Sequence, residues 1–467
     1  MNPTRPHRSA ESIERDRFAL PVKVRMAEGK ALRKTIGRAL QATWAAAPGR
    51  PDPVEVLKSS DSGRLPELLP IRYARMRQSP FAFFRGSAAL MALDLSSTPV
   101  TGVKVQACGD CHVSNFGGFA SPERRLLFDI NDFDETLRAP WEWDVKRLAA
   151  SIVLVSRELG LAAAQSGDAT LAMTQSYRQH TREYAQMRAL DVWYSHIASE
   201  LFIEEAKTKT AKVRWKHIED RARLQTAEHI FPEIAAVTHG EPRIVDHPPL
   251  VYHSRSSELV RKRVAEMFRR YRETLSEDKR MILNRYHIVD VARKVVGVGS
   301  VGTRCDVALL MAGKRDPLLL QIKQALPSVL EPYAGKSRYE NHGERVVTGQ
   351  RMLQSASDVF LGWTHDSYGR DYYFRQLRDM KMKIDLENIA KRDWLEYVQI
   401  CGWTLARAHA RTGDAAAIAG YIGKSDAFDL AMAKFGDVYA DQTERDYEAF
   451  LKAIRAKRIR TMARSGA

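Results

Sequence analysis

Between Val295 and Ala325 the chain reads VVGVGSVGTRCDVALLMAGKRDPLLLQIKQA, with Gly297, Gly299 and Gly302 in G-x-G-x-x-G spacing. That spacing alone is shared by several nucleotide-binding architectures. The residues downstream of it narrow the choice. In a doubly wound dinucleotide fold the third glycine opens a helix, whereas here it leads into TRCDVALLMA, rich in β-compatible residues, then the turn GKRD and a second apolar run. The segment predicts a β-hairpin entered through a glycine loop. Such a loop lacks Cβ atoms, so its backbone amides can approach phosphates closely, and a lysine on the next strand can neutralise them. Lys323 holds that position and, by the two-residue period, shares a face with Gln321 and Ala325. A lysine in so apolar a run needs a carboxylate to orient it. Glu344, opening ERVVTGQRMLQSASD, is the expected partner, and Glu331 is disfavoured by the Pro332 after it. The plainer alternative is a lysine snorkelling from an edge strand beside a tight hairpin.

A second polar cluster lies far upstream, in CGDCHVSNFGGFASPERRLLFDINDFDE. The runs VKVQAC and RRLLFDIND predict short strands on either side of a loop, GDCHVSNFGGF. Asp110 precedes Asn115 by five positions, and Asp132 comes after the strand LLFDI. This spacing matches phosphoryl-transfer machinery, in which an aspartate accepts the substrate hydroxyl proton while an asparagine five residues on and a later aspartate hold Mg²⁺. Asp110 is the candidate base, Asn115 and Asp132 are candidate metal ligands, and Asp134 offers one further hard oxygen. On the bland reading Asp110 and Asn115 cap turns, and Asp129, Asp132 and Asp134 are solvated loop acids. Cys108, Cys111 and His112 also raise zinc or redox chemistry. A structural zinc site would need a second close pair, yet Cys305 and Cys401 are isolated, and a redox pair would open a helix.

Composition sets the frame for both clusters. With 467 residues, 44% hydrophobic and 28% charged, the chain is globular and long enough for two or three units or one large bilobal enzyme. Four cysteines are too few for a disulfide scaffold, and the longest apolar run, Leu148 to Val155, is far short of the roughly 18 residues that span a bilayer. The first thirty residues contain no signal-like apolar core, so a cytoplasmic location is expected. Lys and Arg number 73 against 57 Asp and Glu, a net +16 that attracts anions. Nucleic acid is one candidate anion, but no helix-turn-helix, RRM or zinc-finger pattern accompanies the charge. The basic tract from Lys452 to Arg464 reads as a solvated helix face.

Patterning divides the chain into four stretches. Residues 1–100 read as a mostly helical lead-in, and 101–285 as helices carrying the acidic loops, with strong helical spacing in DVKRLAASIVLVSRELGL and continuing helix over Met173 to Lys207 and Ser257 to Leu275. His239 to Ser254, with three prolines, reads as a connector. Residues 286–385 form a β-rich unit whose last strands are FLGWTHD and DYYFRQLRDMK, and 386–467 return to helix. No repeat of fixed period is visible.

The segments SPFAFFRGSA, CGDCHVSNFGGF, NDFDE, WDVKRLAAS, GVGSVGTRC, ERVVTGQRMLQ and LARAHARTGD resemble the bacterial domain-of-unknown-function family 2252, itself similar to the protein-kinase-like and aminoglycoside-phosphotransferase superfamily. Phosphotransferases of that kind carry H-G-D-x-x-x-x-N, an I-D-F-D-like segment and a W/Y-D-L helix start. The counterparts here are CGDCHVSN, NDFDE and WDVKRLA, with Cys108 where the histidine usually stands. The resemblance implies Asp110 as base, Asn115 and Asp132 on the metal, and Asp144 as a structural acid anchoring the helix after the loop. It also implies a fold: α+β, bilobal and kinase-like, with a small antiparallel sheet lobe and a larger helical lobe. The order is circularly permuted, since Asp110 comes about two hundred residues before Lys323.

The expected activity is ATP- and Mg²⁺-dependent phosphoryl transfer to an unidentified hydroxyl acceptor. A nucleotide-binding module that does not turn over, or a basic nucleic-acid-binding protein, are the alternatives. Arg85 is either a phosphate ligand or a packing arginine, and His409, Arg411 and Asp414 are left open.

Overall fold

The computed structural model describes residues 16–201, 209–238, 241–254, 257–314, 316–377, 380, 382 and 384–462. The architecture is α+β, with 52% helix and 15% strand. Among the described residues the α-helices α1 (Val22–Ala31), α2 (Pro53–Ser59), α3 (Leu69–Met76), α4 (Pro80–Gly86) and α5 (Ala88–Leu95) precede the first strand. Proline in the first turn of α2, α3 and α4 removes an amide that would have no intrahelical partner anyway. Asp52 and Ser79 cap α2 and α4 by accepting from the amides of Val54 and Ala82.

Four short strands come after them: β1 (Lys104–Ala107), β2 (Phe116–Ala120), β3 (Leu126–Ile130) and β4 (Leu137–Pro140). β1 pairs with β4 and β2 with β3, both antiparallel. The second half of the expected loop, FGGFA, is therefore a strand. Glycine in that run reads as a turn signal, but the tertiary structure uses it to admit a neighbouring backbone. Gly118 exchanges amide–carbonyl bonds of 2.9 Å with Met382 in both directions. A Cβ on Gly117 would come within 2.5 Å of the Met382 carbonyl oxygen.

Helix α6 (Trp141–Glu158) is central. Val145, Leu148, Ala149, Ile152 and Val155 are buried as their spacing predicts, and so are Lys146 and Arg147 on its other faces. α7 (Ala163–Tyr184) breaks at Tyr184, and within the stretch expected to be helical as far as Lys207 helix resumes as the short segment Ala189–Tyr194. Its buried stripe of Met173, Tyr177, Thr181 and Tyr184 is not continued, and Met187 and Leu190 face solvent. Residues 202–208 of that expected helix lie outside the described residues. The expected connector is more structured than its prolines suggest. β5 (Ala235–Thr238) pairs with β6 (Glu241–Ile244), and β7 (Val251–Tyr252) pairs with β8 (His287–Lys294).

Helix α8 (Ser257–Glu273) separates β7 from β8, and beyond β8 come β9 (Cys305–Met311), β10 (Pro317–Gln324), α9 (His342–Leu353), β11 (Gly362–His365) and β12 (Asp371–Gln376). The strands form one antiparallel sheet in the order β11-β12-β10-β9-β8-β7. One face, with Ala308, Leu310, Leu320, Ile322 and Phe374, packs against Val264, Met267 and Tyr271 of α8. By alternation, Gln321, Lys323, Tyr373 and Arg375 belong to the opposite face. β10 lies between β9 and β12, so Lys323 is on an interior strand and is only 2% exposed. The edge-strand alternative for this lysine does not hold.

α10 (Lys391–Thr412), α11 (Ala415–Ile422) and α12 (Ala427–Arg455) close the helical body, α10 against α7 and α12 against α6. Among the described residues no helix is long and apolar enough to cross a membrane.

Candidate functional site

Lys323 Nζ donates to Asp134 and, at 2.8 Å, to Ser300 Oγ in the glycine loop. The register places Cys305 of β9 and Tyr373 of β12 on either side of it. Tyr373 donates its hydroxyl to Asp134 Oδ1 at 2.8 Å, and Ser300 reaches Asp134 Oδ2 at 3.1 Å. Burial works against both charges, but each outweighs that penalty for the other. Asp134 is held at about 2 by Lys323, and the lysine is raised above its ordinary range chiefly by Asp134. The expected partner, Glu344, lies in the first turn of α9 and makes no ion pair with Lys323 among the described residues. Asn341 caps that turn by accepting from the Glu344 amide. The orienting carboxylate thus comes from the acidic loop, and Asp134, read from sequence as a spare metal ligand, takes the role.

The glycine loop is shaped from outside. Gly297 and Gly302 have φ of +64° and +95°, a region costly for other residues. A Cβ on Gly299 would stand 2.9 Å from the Arg85 carbonyl oxygen. Arg64 Nη1 donates to the carbonyls of Gly299 and Val301 at 2.7 Å each, and Arg75 donates to that of Gly297. Val301 and Thr303 donate their amides back to the carbonyls of Val298 and Ser300, at 3.4 and 3.2 Å, whereas those of Gly297, Gly299 and Ser300 have no backbone acceptor among the described residues and are left to meet an anion.

The acidic loop is anchored from below. Asp144, in the first turn of α6, accepts from the amides of Cys108 (2.8 Å) and Gly109 (3.0 Å). His409 of α10 approaches the same carboxylate through Nε2 at 3.3 Å and meets the Tyr177 hydroxyl through Nδ1 at 2.8 Å. Gly109 turns at φ +81°, where a Cβ would strike the Glu135 carbonyl. Asp110 then stands in the cleft. Arg147 donates to its Oδ1 at 2.7 Å through Nε, while Oδ2 lies 3.7 Å from His112 Nε2. Asn115 spends its Nδ2 on the Asp110 carbonyl at 2.8 Å, so Oδ1 is the atom it can offer a cation.

Asp132 has its carboxyl pushed up, by burial first and then by the Asp134 charge. The adjoining Glu135 is raised to about 7 by burial, although it accepts from the Val329 amide at 2.7 Å.

These two regions share one cavity of about 480 Å³. Asp110, Asn115, Asp132 and Asp134 line it together with Gly297, Gly299 and Ser300. Residues 56–64 and 85–89 form a further wall. An all-oxygen donor set of carboxylates and an amide fits a hard divalent cation, and the cradle, closed to any Cβ at Gly299, fits a phosphate.

The remaining candidate residues serve the frame. Cys108, Cys111 and Asp144 bring ligand atoms within 4.8 Å of one another, but the carboxylate already holds two amides, and burial pushes both thiols up. Arg411 stacks 3.9 Å over Trp193 and donates to Met352 O, and Asp414 caps α11 while pairing with Arg25. Asp129 is fully buried against Arg407. Sequence reasoning did not single out Arg147, Ser300, Tyr373 or Glu135. Ser300 alone carried a signal, being the one hydroxyl between the glycines, Gly297 to Gly302.

Over residues 64–453 the chain matches the family described as "Uncharacterized protein conserved in bacteria (DUF2252)". It belongs to that family. No curated protein and no solved structure matches it.

Proposed function

We propose that this protein is an ATP- and Mg²⁺-dependent phosphotransferase acting on a hydroxyl acceptor, built as a bilobal kinase-like fold in permuted order. The observation that carries the reading is the single cavity lined by the glycine loop, by Asp110, Asn115 and Asp132, and by Asp134 with its partner Lys323 buried behind it. The placement of the glycine loop between β8 and β9, with Lys323 on the next strand, also supports it, because backbone amides and a buried ammonium are what a triphosphate needs.

In this reading Lys323, Ser300 and the loop amides hold the triphosphate. Asn115 and Asp132 would hold Mg²⁺, which when bound would supply charge neutralisation at the phosphoryl group. Asp110 accepts the acceptor hydroxyl through Oδ2, its other oxygen being fixed by Arg147, so that the hydroxyl oxygen points at phosphorus. Little covalent chemistry is asked of the protein, and rate comes from positioning and charge neutralisation. Asp144 and His409 act through the loop they anchor.

The test is ADP release from Mg·ATP by the purified chain with a panel of small hydroxyl compounds, comparing the parent with Asp110→Ala. The variant should bind Mg·ATP as the parent does and release no ADP above background. Equal turnover by the two would remove Asp110 from the reaction.

A further inference from the structure

Among the described residues the cleft contains one arginine held by no ion pair or hydrogen bond, only by the face of Phe81 5.9 Å from its guanidinium. Arg64 and Arg75 are committed to glycine-loop carbonyls, Arg72 to Asp61 and the Gly86 carbonyl, and Arg147 to Asp110. Arg85, at the end of α4, makes no ion pair and no side-chain hydrogen bond among the described residues, and its Nε is buried without a partner. Burial lowers its pKa, against the pull of Asp110 first, then Asp132 and Glu158.

Three further donors line the same cavity. α5 begins just after Arg85 with no side-chain cap, and the amides of Ala88 and Ala89, both lining the cavity, have no acceptor among the described residues. His112 is only 2% exposed, lines the same cavity, and has an Nδ1 without a partner. An unpaired guanidinium, a free helix N-terminus and an imidazole with an open nitrogen make a receptor for an anion.

We propose that Arg85 and the start of α5 bind a phosphate or carboxylate carried by the acceptor, so that the acceptor is a hydroxyl compound bearing its own negative charge. This rests on the phosphotransferase reading. The acceptor is favoured over the donor because the triphosphate already has Lys323, Ser300 and the metal ligands, whereas His112, a donor of this anion site, stands with its Nε2 3.7 Å from Asp110 Oδ2, the oxygen that meets the acceptor. A cleft lined by Asp110, Asp132, Asp134 and Glu135 would otherwise repel an anionic acceptor.

The experiment uses the full chain with inorganic phosphate as probe, monitored by calorimetry and thermal shift, with and without a saturating non-hydrolysable ATP analogue and Mg²⁺. Phosphate should bind in both conditions. Arg85→Gln should weaken it about tenfold or more. Ala89→Asp should weaken it as much without lowering the melting temperature, since a carboxylate suits a helix N-terminus yet repels the anion. Phosphate displaced by the analogue would overturn the assignment to the acceptor. Phosphate binding that is absent, or indifferent to both variants, would overturn the site. Arg85-dependent phosphate binding in a protein that takes up no analogue would retire the phosphotransferase reading and leave the anion site standing.

Discussion

Lys323 on β10 is bonded to Asp134, a residue 189 positions earlier in the chain, and both turn toward the hydroxyl of Ser300 in the glycine loop. The pair joins the interior of the six-stranded sheet to the acidic segment between β3 and β4. It therefore fixes the spacing of the cleft as well as the orientation of the lysine. With the lysine only 2% exposed, its charge is sustained by this contact, and removing either partner strands the other.

Lys323→Met should accordingly lower unfolding free energy by about 3 kcal/mol, whereas Lys323→Met combined with Asp134→Leu should recover a large part of the loss. Urea titrations of the two single variants and the double variant give the coupling directly. A double variant no more stable than the sum of the singles would contradict the account of the pair.

The anchor beneath the acidic loop makes a local prediction. Asp144→Asn keeps the shape but weakens two charge-assisted bonds to the Cys108 and Gly109 amides. Their amide hydrogens should exchange much faster than in the parent, with a stability cost of about 2 kcal/mol. Unchanged protection at both amides would mean that the loop holds itself.

Two glycines should respond to alanine in opposite directions. Gly117→Ala drives a methyl to within 2.5 Å of the Met382 carbonyl oxygen and should cost about 1–3 kcal/mol. Gly167, inside α7, has nothing within 4 Å of its Cβ position, so Gly167→Ala should stabilise by about 0.5–1 kcal/mol. Thermal melts of the two variants settle the signs.

His112 sets an acid limit. Burial lowers its pKa from 6.5 to about 3, so between those values the unfolded chain binds more protons than the native one. Stability is then fully present above pH 6.5 and is lost as pH falls toward 3, by up to on the order of 4 kcal/mol. His112→Asn should flatten the fall in unfolding free energy between pH 6 and about 4. A parallel pH profile for the variant would assign the acid limit elsewhere.

Much of the sheet was legible in the sequence because alternation and glycine placement are local signals. The hairpin from Val295 to Ala325, the face shared by Lys323 and Gln321, and the strands at Gly362 and Asp371 all arise from them. The partner of Lys323 was not, because the choice between Glu344 and Asp134 depends on how two distant stretches dock, and no local pattern encodes it. Strand β2 was hidden for a related reason: its glycines serve the backbone of Met382, more than 260 positions away. The wall built by residues 56–64 was equally silent, since serines and arginines there look like any solvated helix end, and in 85–89 only Arg85 stood out, open between a phosphate ligand and a packing arginine. Arg147 falls three positions after Asp144 on α6, so its approach to Asp110 could be seen only once the anchoring of the loop was known.

The central claim, that one cleft takes a metal-bound triphosphate between the glycine loop and the acidic segment, is tested most directly by calorimetric titration of ATP into the parent, Lys323→Met and Asp132→Asn proteins, each with and without Mg²⁺. The account predicts saturable binding by the parent that Mg²⁺ strengthens, a loss of about tenfold or more in Lys323→Met, and a loss of the Mg²⁺ effect in Asp132→Asn. No saturable binding by the folded parent, or binding that neither substitution nor metal alters, would contradict it.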